Sequence, residues 1–274
     1  MTPNSLFPGK RTTKLKGKGA IAAALALALV TGFLFHYGIL SFQNPWPGRY
    51  PVRGVDVSHY QGEIDWPAIA GQGIDFAFVK ATEGSSWRDP FFAANLDGAK
   101  AAGLRTGAYH FFSFDSAPET QAENFIAAVP ETDLPPAVDL EFYGSYDRAP
   151  PDAETVRENL AALLAVLAKH YGQRPIVYTT MRCYRLYLRG WDGEFDLWIR
   201  DVLRQPALAE GETWVFWQYS SKGRLEGFSG EEPFIDLNVF NGGGEEFWRY
   251  GCAVQLETLC QMKNGRIYQR SRRL

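Results

Sequence analysis

The sequence predicts an α/β barrel of about five β/α units followed by strands that loops connect. Short runs rich in β-branched and aromatic residues alternate with helical patterns along most of the 274-residue chain. This alternation indicates parallel strands with crossover helices. Eight strand candidates are present, the number that closes a parallel barrel. The spacers after residue 200 lack a helical pattern, so loops are expected there.

Each predicted strand is a short apolar run, and most of the early ones precede a helical pattern. The strands are expected at 53–57, 75–81, 105–112, 135–141, 174–179, 195–200, 213–219 and 234–239. The helices are expected at 65–71, 88–102, 117–128 and 152–170. The last helix has the clearest signals, because Asp152 can cap its start and Gly172 can end it.

The barrel is predicted to occupy residues 53–241 and to follow an N-terminal apolar segment. Residues 1–18 are basic and are expected to stay in the cytoplasm. Residues 19–40 contain no Asp, Glu, Lys or Arg and one histidine, His36, and this run is long enough for one transmembrane helix. A cleaved signal peptide is the alternative. Both place the barrel outside the cytoplasm, in the cell envelope or secreted.

The two ends of the chain differ in charge from the body. Residues 41–52 are rich in Pro and aromatic residues and are predicted to be a linker, whereas 242–274 form an extension with a basic tail. Between residues 41 and 262 the chain carries 18 basic and 31 acidic groups. So acidic a body argues against nucleic-acid binding, because phosphate contacts require Lys and Arg.

The three cysteines indicate no metal site. There is no C-x-x-C and no His/Cys cluster, so neither a structural zinc site nor a cofactor is expected. Cys252 and Cys260 can pair in an oxidising compartment and leave Cys183 as a small buried residue. Three unpaired thiols are an equal alternative.

Polar residues gather where the predicted strands end. Asp56, Tyr109, Tyr178, Trp198 and Gln218 each fall near the carboxyl end of a strand, which is where α/β barrels build active sites. The fourth strand brings Asp139 and Glu141, and the eighth brings Asp236. Four acids are therefore expected at one mouth.

The D-x-E pair suits acid–base chemistry on a glycosidic bond. Side chains two apart on a strand face the same way, which separates Asp139 and Glu141 by about 7 Å along the strand. One such carboxyl can keep a proton while the other stays ionised, and glycoside hydrolysis needs that division. The structural alternative is ion pairing with Lys80 or Arg200.

The two histidines near the mouth allow other chemistries. A Ser or Cys nucleophile beside His59 or His110 would suggest acyl transfer, but no G-x-S-x-G motif occurs. Metal-assisted hydrolysis using these histidines with Asp56 and Asp139 is conceivable. The favoured interpretation is that both histidines form hydrogen bonds in the wall of the cleft.

Several motifs together resemble one enzyme family. In order along the chain they are GVDVSHYQGEIDW (54–66), FAFVKATEG (76–84), GAYHFF (107–112), PPAVDLE (135–141), PIVYTT (175–180), LWI (197–199), FWQYSSKG (216–223) and IDLNVF (235–240). They resemble glycoside hydrolase family 25, the lysozymes or N-acetylmuramidases. The resemblance covers about 54–241 and implies an irregular, TIM-like (β/α)5(β)3 barrel.

The resemblance also implies roles for individual residues. The family's acid/base glutamate falls on Glu141 and its partner aspartate on Asp139, with further acids at Asp56 and Asp236. Groove-lining groups match Tyr109, Tyr178, Trp198 and Gln218. One position departs from the family, since Arg200, Asp201 and Val202 follow LWI where small and aromatic residues are usual.

The implied reaction is cleavage of the β-1,4 bond between N-acetylmuramic acid and N-acetylglucosamine. Glu141 would protonate the bridging oxygen, and Asp139 would either attack the anomeric carbon or orient the sugar's own acetamide to do so. Two alternatives differ in class. A chitinase-like enzyme is disfavoured because Ala137 stands where its D-x-x-D-x-D-x-E motif needs an acid, and an inactive membrane-tethered cell-wall binder is disfavoured because all four acids are present.

Overall fold

The computed structural model describes residues 13–36, 45 and 48–252. The chain divides after Ser41 into an N-terminal unit and a second unit that contains the barrel. The described residues of the N-terminal unit form one helix, α1 (Thr13–His36). Across the described residues, no helix combines the length and the apolar character that bilayer crossing requires. Residues 37–40 of the expected apolar span lie outside the described part of the chain.

The second unit is a closed barrel of eight strands with one short extra strand. The strands are β1 (Arg53–Val57), β2 (Phe76–Glu83), β3 (Trp87–Arg88), β4 (Arg105–Phe111), β5 (Ala137–Leu140), β6 (Ile176–Thr180), β7 (Asp196–Arg200), β8 (Phe216–Gly223) and β9 (Ile235–Phe240). Their order is β1-β9-β8-β7-β6-β5-β4-β2-β3, and pairing of β1 with β2 closes the ring. The predicted eight-stranded barrel is confirmed.

The last strand runs against the others. β1, β2 and β4 through β8 are mutually parallel, whereas β9 is antiparallel to both β1 and β8. The carboxyl end of β9 therefore points to the base of the barrel. Asp236 reaches the mouth because it lies at the start of β9, and not at a strand end as the sequence analysis assumed. No helix separates β8 from β9, and without a crossover helix antiparallel pairing is the available solution.

The helices confirm the early alternation and correct one boundary. They are α2 (Trp66–Gly71), α3 (Phe92–Ala101), α4 (Pro118–Ala128), α5 (Ala153–Tyr171), α6 (Met181–Cys183), which continues into a π-helical turn (Tyr184–Leu188), and α7 (Gly244–Arg249). α3 begins at Phe92 rather than residue 88. Trp87 and Arg88 pair with β2, and the buried Asp89 accepts hydrogen bonds from the backbone of His59 and Phe91.

The capping signals of the longest helix of the barrel unit are confirmed. The Asp152 carboxylate accepts a hydrogen bond from the backbone N–H of Thr155 at 3.0 Å. Gly172 ends α5 in the left-handed region, with φ at 64°. On its buried face Leu160, Leu163 and Leu167 are fully enclosed against the sheet layer.

The base of the barrel is filled with aromatic rings. Phe76, Phe78, Phe216, Phe240 and Phe247 pack together, and the last comes from α7 in the C-terminal extension. Gly54 and Gly107 make this packing possible, because a Cβ at either position would lie 2.2 or 2.3 Å from a phenylalanine ring. The base is therefore a closed apolar plug.

Segments flanking the predicted barrel contribute to it. Tyr50 and Val52, from the expected linker, are buried, and the Tyr50 ring packs against Trp214 and Trp217. Cys183 is a buried free thiol. Cys252 is disulfide-bonded, and Cys260 lies outside the described residues.

Candidate active site

The barrel brings the four predicted acids to one mouth. Asp56 and Asp236 are register partners on the adjacent strands β1 and β9. Asp139 is in β5, and Glu141 follows the last residue of that strand. All four line a single cleft of about 340 Å³ and a deeper chamber of about 100 Å³ that opens from the same acids. The structure thus brings the four acids together at one mouth.

A layer of buried side chains holds Asp56 in place. Its Oδ2 accepts hydrogen bonds from Gln218 Nε2 at 2.9 Å and from Asn238 Nδ2 at 2.7 Å. These amides are oriented in turn, because Tyr178 donates to Gln218 Oε1 at 3.1 Å and Trp198 donates to Asn238 Oδ1 at 2.8 Å. Two neutral donors therefore hold the Asp56 carboxyl in one orientation within the site.

Burial dominates the titration of the four acids. Desolvation raises the pKa of Asp56 and of Glu141 above their ordinary values, and raises the pKa of Asp139 and of Asp236 well above theirs. Repulsion between neighbouring acids adds to the rise for Asp139, Glu141 and Asp236. The cluster therefore retains protons at pH values where isolated carboxyls would lose them.

The ion-pair interpretation of the acids is wrong for the described residues. Lys80 pairs with Glu83, at 2.8 Å, and lies over the rings of Trp87 and Phe111. Within residues 48–252 no ion pair shorter than 4.0 Å involves any of the four acids. Their positions are not explained by charge neutralisation.

Asp139 has an atom without a partner in the protein. Its Oδ1 is buried and accepts no hydrogen bond among the described residues, and the residue is 6% exposed. Leaving a buried carboxyl oxygen unsatisfied is costly. The Asp139 residue itself borders the inner chamber, so its carboxyl lies beside the space that a ligand would occupy.

The predicted groove residues divide into two sets. Tyr109 lines both the cleft and the chamber, while Tyr178 and Trp198 line only the chamber. Gln218 is 1% exposed and lies behind Asp56, where it supports an acid. Gln218 was predicted to line the groove, but in the structure it supports Asp56 from behind instead.

The two histidines are turned away from the acids. His110 is fully buried between Thr82 and Gln121, and desolvation lowers its pKa to about 4. His59 Nδ1 lies 2.9 Å from Asp89. Neither borders the cleft or the chamber, so the arrangement required for histidine-assisted metal hydrolysis is not formed. Among the described residues no group of three His, Cys, Asp or Glu side chains is arranged to hold a metal.

Sequence analysis missed Asn238 as a site residue. It stands two residues after Asp236 on β9, so the two side chains share a face, and this spacing was the available signal. Tyr60, Ser221, Glu232 and Phe234 also line the cleft from loops and strand ends. Their positions depend on loop conformation, which the sequence pattern does not reveal.

Comparison with known proteins agrees with this geometry. A family model described as Glycosyl hydrolases family 25 matches residues 55–228. The chain belongs to glycosyl hydrolase family 25. This family 25 chain is therefore a glycoside hydrolase, and the expectation drawn from its motifs is confirmed.

Individual relatives extend over most of the chain. The chain is 34% identical to the Uncharacterized protein YegX of Escherichia coli K12, over 79% of this chain and 80% of the relative. It is 32% identical to Lysozyme M1 of Streptomyces globisporus, over 70% and 68%. The solved structure of a family 25 glycosyl hydrolase from Bacillus anthracis superposes with a TM-score of 0.71 at 48% identity, covering 74% of this chain and 95% of that one.

Proposed function

We propose that this family 25 enzyme cleaves peptidoglycan at the β-1,4 bond between N-acetylmuramic acid and N-acetylglucosamine. The observation that carries the proposal is the convergence of Asp56, Asp139, Glu141 and Asp236 on one cleft without ion-pair partners among the described residues. The name of the relative Lysozyme M1 supports the choice of substrate. A cleft with a smaller chamber that opens from the same acids suits a polymer that binds across the mouth and places one sugar inward.

Glu141 acts as the general acid in this proposal. It is partly buried, and desolvation keeps its pKa raised, so a proton is available for the departing oxygen. When the leaving sugar has gone, the ionised Glu141 accepts a proton from the incoming water. The same group thus serves as acid and then as base.

Asp139 assists through the acetamide of the substrate. Its carboxyl borders the chamber, and a hydrogen bond from the acetamide N–H would stabilise the ionised carboxylate. A carboxyl whose pKa burial holds well above the ordinary value is a poor nucleophile by itself. We therefore favour attack by the acetamide oxygen, with Asp139 orienting the group.

Mass spectrometry of the sugars released from purified murein tests the bond and the residue together. The wild-type chain should release fragments ending in reducing N-acetylmuramic acid, and Glu141→Gln should release almost none. Glu158→Gln, an exposed change on α5, is the matched control and should give wild-type products. Fragments ending in N-acetylglucosamine would contradict the assigned bond.

A thiazoline analogue of the acetamide intermediate separates the two roles of Asp139. Inhibition that Asp139→Asn weakens supports acetamide participation. A glycosyl group found covalently attached to Asp139 after trapping would show direct attack and refute the orienting role.

The N-terminal segment is proposed to carry the barrel out of the cytoplasm. Basic residues precede the apolar run and no acid occurs before residue 41, which favours export of the following domain. Protease added to intact cells should reach the barrel, and N-terminal sequencing of the exported protein distinguishes an uncleaved anchor from a removed signal. Full protection inside intact cells and spheroplasts would contradict export.

A further inference from the structure

Arg200 lies at the rim of the mouth, on the inward face of β7 and just outside the residues that line the cleft and the chamber. It ends β7, two residues after Trp198, whose side chain lines the chamber. Residues two apart on a strand face the same side, so Arg200 is one step nearer the mouth than Trp198. Its register partner on β8 is Gln218, whose side chain also points inward to Asp56.

The Arg200 guanidinium has no partner among the described residues. No carboxylate oxygen of residues 48–252 lies within 4.0 Å of it, and it donates no hydrogen bond there. Nearby arginines behave differently. Arg174 pairs with Asp196, Arg182 with Asp147 and Arg204 with Asp201.

The charge of Arg200 nonetheless reaches the active site. It lowers the pKa of Asp56, Glu141 and Asp236, partly opposing the effect of their burial. No oxygen of these acids lies within 4.0 Å of the guanidinium, so none of them forms an ion pair with it. A partly buried arginine with a free planar fork is suited to bidentate binding of an anion.

We propose that Arg200 is a specificity residue that binds a carboxylate carried by the glycan substrate beside the bond to be cleaved. The inference rests on the proposed function, since the peptide substituents of peptidoglycan carry carboxylates. Plain N-acetylglucosamine polymers carry none. Arg200 would therefore favour peptide-bearing glycan over chitin-like chains.

Paired substrates test the proposal with the full-length chain. Soluble peptide-bearing glycan fragments are prepared from murein and used either with free carboxylates or after conversion of those carboxylates to neutral methylamides. Wild type should show a KM about tenfold lower for the free-carboxylate form, the usual scale for one charge-assisted contact. Arg200→Ala should abolish this preference by raising KM for that form alone.

Two further variants sharpen the result. Arg200→Lys keeps the charge but loses the fork, so its preference should be intermediate. Arg204→Ala removes a largely exposed arginine four residues further on and should behave as wild type on both substrates. If Arg200→Ala fails to fold, Arg200→Gln and the wild-type preference itself still test the proposal.

The opposing outcomes are distinct. Equal loss of kcat/KM on both substrates, with a displaced pH profile, would mean that Arg200 acts only on the acids and would overturn the proposal. Unchanged kinetics on both substrates would also overturn it. Wild type that releases no reducing ends from either substrate would instead refute the proposed function.

Discussion

The two ends of the barrel have opposite compositions, apolar at the base and acidic at the mouth. At the base, β2 contributes the buried rings of Phe76 and Phe78. At the mouth, β1, β5 and β9 present carboxylic acids whose pKa burial raises. The base satisfies its polar groups, whereas the mouth leaves Asp139 Oδ1 without a partner among the described residues.

Arg105 and Arg200 illustrate the contrast. The buried Arg105 donates to the backbone carbonyl oxygens of Asp133, Phe247 and Tyr250 at the base. Arg200, at the mouth, has no such partners in the described part of the chain. An arginine whose hydrogen bonds are made within the protein stabilises the fold, whereas an arginine without such partners remains available to a ligand. Variants at the two ends should accordingly separate stability from turnover.

The largest effect is expected for Glu141→Gln at the mouth. Loss of the proton donor should lower kcat by about 10²–10⁴-fold, while the midpoint of thermal unfolding stays equal to or above that of wild type because a buried acid is neutralised. Rates of reducing-end release and calorimetry measure the two properties. A variant within threefold of wild-type kcat would refute the role of Glu141.

Phe247→Ala should show the opposite pattern. Removing a fully buried ring from the base should lower the free energy of unfolding by about 3–5 kcal/mol. The value of kcat below the melting range should remain within about twofold of wild type. Urea titration and activity measured at low temperature make the comparison. A large loss of kcat with little loss of stability would show that the two ends are coupled.

Asn238→Ala should have a smaller effect, confined to the mouth. The change removes a donor to Asp56, so the pKa of Asp56 should rise further and kcat/KM should fall about tenfold. The acidic limb of the kcat/KM profile should move to higher pH. Asn241→Ala is the matched control, because Asn241 bonds the Trp214 carbonyl instead. Identical pH profiles of kcat/KM for the two variants would contradict the role of Asn238 in holding Asp56.

The smallest effect is a pH-dependent gain of stability in Asp139→Asn. Burial raises the pKa of Asp139 above its unfolded value of 3.8, so the folded state binds the additional proton. Wild type should therefore lose stability as pH rises above about 4, and the variant should lose less, because only Asp56, Glu141 and Asp236 still contribute to this loss.

The melting temperature of the variant should exceed that of wild type by about 2–4 °C at pH 7 and match it at pH 4. His110 does not disturb the test, because both proteins contain it. Calorimetry at the two pH values provides the measurement. A constant difference, or one that shrinks toward neutral pH, would show that the Asp139 carboxyl is not held protonated by burial.

Most of the fold follows from local patterns in the sequence. The strand runs and the signals of Asp152 and Gly172 are short-range features, and they located the barrel elements within a few residues. The start of α3 could not be found this way, because Asp89 is held by a contact with His59, which lies thirty positions earlier in the chain. Distant contacts of this kind override local helix propensity.

The sequence predicted the acids of the site more completely than the residues that hold those acids in place. Acidic residues in apolar runs are conspicuous, which identified Asp56, Asp139, Glu141 and Asp236. Gln218 and Asn238 are neutral amides. Their position relative to Asp56 depends on the register of β8 and β9, which the sequence does not reveal. The direction of β9 could not be predicted either, since the alternation of side chains along a strand is the same in both directions.

The antiparallel β9 has a consequence for how the protein is made. Asp56 and Asp236 become neighbours only when this final strand fills the gap between β1 and β8. A nascent polypeptide lacking it has three of the four acids but no completed ring. Hydrolysis can then begin only after residues 235–240 have been synthesised and have paired with β1 and β8.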